Sequence, residues 1–596
     1  MPLFEQLRET ISQAFVRTAV KSGWTLPSPL PAFKLEMPRD PTHGDFATNI
    51  AMLLAKPLGQ SPRALAEALL PVLQAEPSIA AATLAGPGFI NLRLQSAAWQ
   101  NEVWEILQRQ GTYGLCTIGA GQRVNIEYVS ANPTGPMHAG HVRGAVIGDT
   151  LATLLQQAGY AVTREYYFND AGAQVDVLAR TTFLRYREAL GEDIGAIPEG
   201  FYPGEYLKDV GQALAQRDGK KWLGQDEAIW LAPMREFAVQ FIMGMIREDL
   251  QLIGIKHDVF TNERELIDNG TLEKAFALLE ARGLIYTGTL PPPRGKTMED
   301  WEPVPLTLFR SSQFGDSTDR PLKKRDGQWA YIMPDIAYHF DKVRRGFTVM
   351  INILGKDHGG YLERMRPAVA ALSDNQAQLN VVFNSIVKLY NNGELVKLSK
   401  RSGNLITLRE MVEQVGAGAV RFFMLTRTPD SELTFDFAKV VEQSRDNPVF
   451  YVQYAHARCC SVIRHARTAH GMLADDLQQL AAQPLTRLTE PAEIALMQKL
   501  SDWPRLLAAA AVAQEPHQIT YYLIELATAF HALWNTGREA ATLRFLQPDD
   551  REISLARLAL VQATRQVLTN ALAVLGVTPL DELRDPETVT LEAANG

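Results

Sequence analysis

Cysteine is nearly absent: the 596 residues contain three. Cys459 and Cys460 are adjacent, too close for metal-ligand spacing, and Cys116 stands far away, so no disulfide framework can form. That excludes a cross-linked secreted scaffold and points to a cytoplasmic compartment. No run of 18 apolar residues occurs, which indicates no membrane span. Residues 1–15 are amphipathic and carry acids, unlike a secretory or transit leader. Internal repeats are lacking, and the one biased stretch, the alanine-rich run 508–513, is simply a good helix former. An excess of positive charge is lacking too, since the net charge is −8. That total does not favour a polyanionic partner, although patches count for more than totals. Basic clusters do occur at Arg320, Lys323, Lys324 and Arg325, and at Arg458, Arg464 and Arg467.

What is present supports several domains, because a 46% hydrophobic chain of this length can bury more than one core. Residues 1–118 read as a separate α/β unit. A helix over 3–21 and another near 49–58 precede a strand-like run at 88–94, and a glycine-rich stretch at 111–121 suits a linker. From 119 to 404 strand-like runs (124–129, 161–168, 329–333, 349–354) alternate with helical patterns. That alternation predicts a doubly wound parallel sheet of Rossmann-like type. The polar, proline-rich stretch 288–305 reads as a surface loop. Past 405 the spacing is helical: Ile494, Leu496, Met497, Leu500, Trp503, Leu506 and Leu507, then Ile519, Leu523, Leu526, Phe530 and Trp534, then Leu555, Leu558, Val561, Val567, Leu568 and Leu575. The expected order is an N-terminal α/β domain, the parallel-sheet domain, a helical connector at 405–450, and an all-α bundle at 451–596.

The most informative stretch follows the run 124–129. It reads Ala131-Asn132-Pro133-Thr134-Gly135-Pro136-Met137-His138-Ala139-Gly140-His141, and an amphipathic helix begins at its end. A strand, a Gly/Pro-rich turn and a helix N-terminus make a site for an anion such as a triphosphate. Imidazole donors there can stabilise charge that develops on phosphates. A metal site would need further ligands, and no Cys/His cluster lies nearby in sequence. Far downstream comes Lys397-Leu398-Ser399-Lys400, closed by Gly403. Two lysines on a loop can close over departing pyrophosphate. Together the stretches resemble the HIGH and KMSK motifs of class I aminoacyl-tRNA synthetases. The resemblance implies catalytic roles for His138, His141, Lys397 and Lys400, with Gly140 and Ser399 at the nucleotide.

Four longer stretches narrow the resemblance to the arginyl-tRNA synthetases: His43-Gly44-Asp45-Phe46-Ala47-Thr48-Asn49, Asn169-Asp170-Ala171-Gly172, Pro334-Asp335-Ile336-Ala337-Tyr338-His339, and the run from Asp446 to Arg458. The likeness covers nearly the whole chain. Arginine is a chemically sensible substrate for such a site, since a guanidinium wants carboxylates in fork geometry and an aromatic face. The resemblance implies that Glu127, Tyr331 and Asp335 hold the guanidinium, while Ser130 and Asn132 hold the α-amino and carboxylate end. Tyr331 and Asp335 are expected around the end of a strand, where open α/β sheets bind ligands. Gly355, Asp357 and His358 look like the family's ribose-binding segment.

The implied activity is ligation of arginine to tRNA. The arginine carboxylate attacks the α-phosphate of ATP carried with Mg²⁺, and a terminal ribose hydroxyl of tRNA(Arg) then takes the arginyl group. Relatives generally need bound tRNA before activation proceeds. The N-terminal unit is expected at the tRNA corner and the bundle at the anticodon, in a monomer with no tightly bound protein metal. Departures from the family pattern are Leu398 in the second motif, Asp357-His358-Gly359-Gly360, Gly418 ahead of Ala419-Val420-Arg421, and a tail that continues to Gly596. Two other readings compete. A small-molecule nucleotidyltransferase shares the HxGH turn but not the second lysine motif or the bundle. A catalytically inactive tRNA-binding paralogue would not need His138, His141, Lys397 and Lys400 intact. Among synthetases, the cysteine type lacks its zinc ligands here, and the span between motifs is too short for the editing domain of the branched-chain types.

Overall fold

The computed structural model describes residues 3–38, 40–290, 304–396, 406–471 and 477–583. The second lysine motif, the loop 291–303 and the last residues of the tail fall outside that set.

In the N-terminal unit, an antiparallel sheet of four strands runs in the order Leu35–Glu36, Phe46–Thr48, Phe89–Leu94, Ile79–Ala85. Helices Leu3–Ser22, Ile50–Leu58 and Pro62–Gln74 bury their apolar stripes on it. The last is set by its first two letters. The Ser61 side chain accepts from Ala64 N and Pro62 takes the first helical position, where its missing N–H costs nothing.

The parallel sheet has five strands in the order Gln378–Asn384, Val349–Gly355, Arg123–Glu127, Ala161–Phe168, Val259–Asn262. Val124, Asn125, Ile126 and Glu127 are all buried, as expected of a strand covered on both faces. Strand order reverses between Arg123–Glu127 and Val349–Gly355, with Glu127 beside Asn352 in register. A crevice therefore opens at the carboxyl ends of these two strands. The helix Ala139–Gln157 starts there and packs back along the sheet. It approaches so closely that a Cβ on Gly148 would lie 2.4 Å from Tyr128 Cβ.

Between Ala161–Phe168 and Val259–Asn262 the chain inserts three helices, Ala173–Ala189, Tyr206–Asp218 and Glu227–Leu252. They enclose a small core of their own, including Tyr186, Leu214, Trp222, Trp230 and Met234. Glu227–Leu252 and Arg551–Leu575 are long and apolar enough to cross a membrane, and 72% of the apolar stretch of the second is buried within the protein.

Two expectations are corrected. Residues 329–333 do not form a strand. Trp329 makes an isolated bridge to Lys323, and a helix, Ile332–Arg344, begins directly after Tyr331. Pro334 lies in its first turn, where no backbone donor is needed, so the proline does not oppose a helix there. The connector 405–450 is not purely helical either. Leu433–Asp436 is a strand paired in parallel with Val387–Asn391, with Leu433, Phe435 and Asp436 buried.

The C-terminal bundle comprises Pro448–His470, Pro491–Ser501, Trp503–Ala513, His517–Glu539 and Arg551–Leu575. Its last helix is tied to the parallel-sheet domain by one buried guanidinium. Arg421 donates to Leu575 O, to Ile253 O at 2.8 Å and to Asp149 Oδ2 at 2.7 Å. A Cβ on Gly576 would meet that guanidinium at 2.5 Å, so the close approach depends on glycine. The N-terminal unit leans on the same bundle: Trp503 Nε1 donates to Tyr113 O, Asn570 Nδ2 to Gln110 O, and Gln498 Nε2 to Asp45 Oδ1.

Candidate active site

Just past the strand Arg123–Glu127 the chain has two residues with left-handed backbone, Val129 (φ 69°) and Ser130 (φ 44°). A β-branched residue at positive φ is rare and costs energy, which the surroundings must offset. Here they do so through Ser130, whose Oγ donates to Glu127 Oε1 at 3.1 Å and accepts from Tyr167 N at 3.2 Å. Asn132, next along and exposed, accepts from Asn169 N at 3.1 Å. The loop is thus bonded to the end of the neighbouring strand and projects over the crevice.

His138 is the N-cap of the helix Ala139–Gln157, and its Nδ1 accepts from Gly140 N at 3.2 Å. His141 Nδ1 accepts from His138 N at 3.4 Å, and the two ring centroids are 3.8 Å apart. The histidines therefore sit together over the positive end of a helix whose exposed Gly140 leaves the approach open. Lys397, Ser399 and Lys400 lie outside the described residues. The chain that follows them is fixed beside the histidines: Ala139 N donates to Ile406 O at 3.0 Å, Leu408 N to Met137 O at 2.9 Å, and His138 bridges Thr407. The segment leaving the second motif is thereby laced to the first.

On the other side of the crevice, Tyr331 and Asp335 start the helix Ile332–Arg344 one turn apart, and so share a face. They do not stand at a strand end. Tyr331 is 87% exposed. Asp335 is held near pH 7, with loss of solvent the largest cause and the charges of Glu127 and Glu263 next. Lys342 and Arg364 pull the other way. Gly355 closes the strand Val349–Gly355, and Asp357 and His358 follow in an exposed turn, with His358 Nε2 3.7 Å from Asp357 Oδ2.

Two charged partners, Glu263 and Lys342, were not singled out by the sequence. Glu263 begins a helix straight after the strand Val259–Asn262, and its Oε2 accepts from Tyr167 OH and from Asn169 Nδ2, each at 2.8 Å. Burial raises its carboxyl, as it does the Tyr167 phenol, which also feels Glu263, Asp335 and Glu127. Lys342, fully buried, donates to Glu127 Oε2 at 2.7 Å and lies 4.1 Å from the Tyr338 ring centroid. Only the short strand before Glu263 and the helical spacing from Asp335 to Lys342 could have drawn attention to them. Three carboxylates and several aromatic rings thus gather at the carboxyl ends of the central strands. Such a set suits a planar cation with a fork of donors, and the neighbouring helix end suits a polyphosphate.

Comparison with known proteins gives the same organisation. Residues 5–94 match the arginyl tRNA synthetase N terminal domain. Residues 102–424 match the catalytic domain of the class I (R) tRNA synthetases, and residues 452–583 match the DALR anticodon binding domain. The chain is 54% identical to an arginine–tRNA ligase of Cereibacter sphaeroides over 584 residues, 98% of this chain and all of the relative. It is equally similar, at 54% over 575 residues, to the arginine–tRNA ligase of Parvibaculum lavamentivorans, covering 96% of this chain and 98% of that one. The fold is like that of the arginyl-tRNA synthetase of Thermus thermophilus, with a TM-score of 0.71 at 21% identity over 97% of this chain and all of that one.

Proposed function

The chain belongs to the arginyl-tRNA synthetases, and from that premise we propose which of its residues carry each part of the reaction. The activity is ligation of arginine to tRNA at the cost of ATP. The observation that carries the assignment of residues is the meeting of Glu127, Glu263 and Asp335 at the carboxyl end of the strand that leads into the His138–His141 turn.

Asp335 and Glu263 take the guanidinium, with Tyr331 at the mouth of the pocket. Glu127, already engaged by Lys342 and Ser130, supplies its remaining acceptor capacity to the same cation. Ser130 and Asn132 orient the α-amino and carboxylate end. The arginine carboxylate attacks the α-phosphorus of ATP, the bond to the β-phosphate oxygen breaks, and pyrophosphate leaves. His138 and His141 donate to the phosphates as charge builds, which is where fixed donors lower a barrier most. Gly140 lets the nucleotide approach the helix end, and Gly355, Asp357 and His358 receive the ribose. Lys397, Ser399 and Lys400 close on the pyrophosphate. Mg²⁺ travels with the triphosphate, whose oxygens are its natural ligands. A ribose hydroxyl at the end of tRNA(Arg) then attacks the arginyl carbonyl and AMP departs.

Residues 1–118 are assigned to the tRNA corner, 119–404 to catalysis, 405–450 to a connector that contacts the tRNA stem and 451–596 to the anticodon, in a cytoplasmic monomer. The test is ATP–pyrophosphate exchange with each amino acid, with and without tRNA(Arg). Exchange with arginine that rises on adding tRNA supports the reading. Exchange with another amino acid and none with arginine overturns it. His141→Ala and Lys400→Ala should each slow the single-turnover chemical step by on the order of 10²–10³ while arginine affinity holds.

A further inference from the structure

We infer that Tyr206 and Asp249, both on the helical insertion, are positioning residues that clamp the turn carrying His138 and His141. The inference rests on the assignment of those histidines to the triphosphate.

The turn has little to hold it from within. Pro133 and Pro136 have no N–H to give, and its internal backbone bond is Thr134 N to Asn132 O at 2.7 Å. From outside, Tyr166 OH donates to Ala131 O, Asn169 N to Asn132 Oδ1 and Leu408 N to Met137 O, and two further contacts come from the helices of the insertion. The Tyr206 hydroxyl, at the first residue of the helix Tyr206–Asp218, donates to Thr134 O at 2.5 Å. The Asp249 carboxylate, in the last turn of the helix Glu227–Leu252, accepts from Met137 N through Oδ2 at 3.3 Å. One contact fixes a carbonyl and the other an N–H three residues on. A segment held at both polarities cannot slide or roll without losing one of them. Gly135 lies under the tyrosine, where a Cβ would come 3.2 Å from the phenol oxygen.

The second contact belongs to a closed circuit. Asp249 Oδ1 accepts from Arg409 Nη2 at 3.1 Å. Arg409 follows Leu408, whose N–H returns to Met137 O at 2.9 Å. Asp249 is 4% exposed, so its charge meets these donors with little water between them. Burial raises its carboxyl, while Arg409 and the Met137 N–H lower it. The insertion therefore holds the residue before His138 and the helix after Thr407 with a single carboxylate. Neither side chain makes a contact assigned here to arginine. Asn132 is held separately by Asn169 N, so a shift of the histidine turn should register in the chemical step far more than in amino-acid binding.

The experiment uses the full chain with arginine, MgATP and tRNA(Arg), and compares Tyr206→Phe, Asp249→Asn, their double variant and His141→Ala. Tyr206→Phe deletes one hydroxyl, and Asp249→Asn removes the charge while keeping the shape. Each should lower kcat for exchange by on the order of tenfold to a hundredfold, with the KM for arginine within about twofold of the parent. The double variant should lose less than the product of the two, because both act on one turn. If His141→Ala lowers kcat but both clamp variants retain it, whatever their melting temperatures, the clamp is only structural and the inference is overturned. If the clamp variants raise the KM for arginine at constant kcat, it is also overturned. A His141→Ala variant with parental kcat would instead remove the triphosphate assignment on which the inference stands.

Discussion

The Lys342 ammonium lies 2.7 Å from the Glu127 carboxylate, and both side chains are withdrawn from solvent. The pair sits directly beneath the carboxylate cluster, with Tyr338 against the ammonium and Asn352 Oδ1 3.5 Å from it. Glu127 is thus neutralised from inside the protein. Neither Asp335 nor Glu263 forms an ion pair among the described residues, and Glu263 accepts only from Tyr167 and Asn169, so the pocket's unmatched negative charge falls on these two.

Lys342→Met should destabilise the protein by about 3–5 kcal/mol, because it leaves a buried carboxylate uncompensated. Adding Glu127→Gln should recover much of that loss. Urea unfolding of the parent, the single and the double variant measures both. A single variant as stable as the parent would mean that water reaches Glu127 freely.

Asp335→Asn should lower kcat/KM for arginine by on the order of 10² and that for citrulline far less. Arginine offers a charged fork of donors, whereas citrulline is neutral and presents a carbonyl oxygen there. The ratio of the two substrates in parent and variant is the measurement. An unchanged ratio would make Asp335 a structural acid and leave specificity to Glu263 and Glu127.

Arginine should bind more tightly as pH rises through about 7, because the carboxyl of Asp335 titrates there and only its ionised form attracts the cation. Calorimetry at pH 6 in two buffers of different ionisation enthalpy should detect a proton released on binding. The same shift acts on the free protein in the opposite sense. A carboxyl raised in the folded state stabilises it below the unfolded value of about 4, and that contribution fades as pH climbs from there to 7. Asp335→Asn should abolish both effects. Identical binding enthalpies in the two buffers would contradict the first.

His257 is buried against Tyr128, 4.2 Å between ring centroids, and burial lowers its pKa to about 4 despite Asp149 and Asp258 nearby; Arg164 lowers it further. The folded protein therefore keeps this ring neutral while the unfolded chain protonates it near 6.5. Its contribution to stability is intact above 6.5 and lost as pH falls from there towards 4. His257→Phe should flatten the stability profile over that interval. A variant with the parental slope between pH 6.5 and 4 would assign the acid sensitivity to other groups.

The strand-like runs at 124–129, 161–168 and 349–354 carried the parallel sheet, because they alternate with helical patterns as strand–helix–strand units require. The histidine turn was legible for a different reason. Its glycine and prolines, together with two ring donors at a helix start, form a local chemical pattern. Tyr331 and Asp335 stand out only by likeness to a family, and the sequence does not reveal their setting: the apolar run from Trp329 to Met333 has no period that separates a strand from a capped helix start. Glu263 and Lys342 had only weak local signals, and Asp249 had none. Each owes its role to a partner 94 to 215 residues away, as in Glu263 with Asn169 and Lys342 with Glu127, and no local pattern encodes such a meeting.

The contact between Trp503 Nε1 and the Tyr113 carbonyl spans 390 residues of chain. During synthesis at roughly 5–20 residues per second, Tyr113 emerges roughly 20–80 seconds before its partner. Over that interval the N-terminal unit must stand with the Tyr113 side of its surface uncovered. Nascent chains halted before residue 503 should therefore expose this face to chaperones and proteases, and release from that exposure should coincide with emergence of the bundle rather than with completion of the catalytic domain.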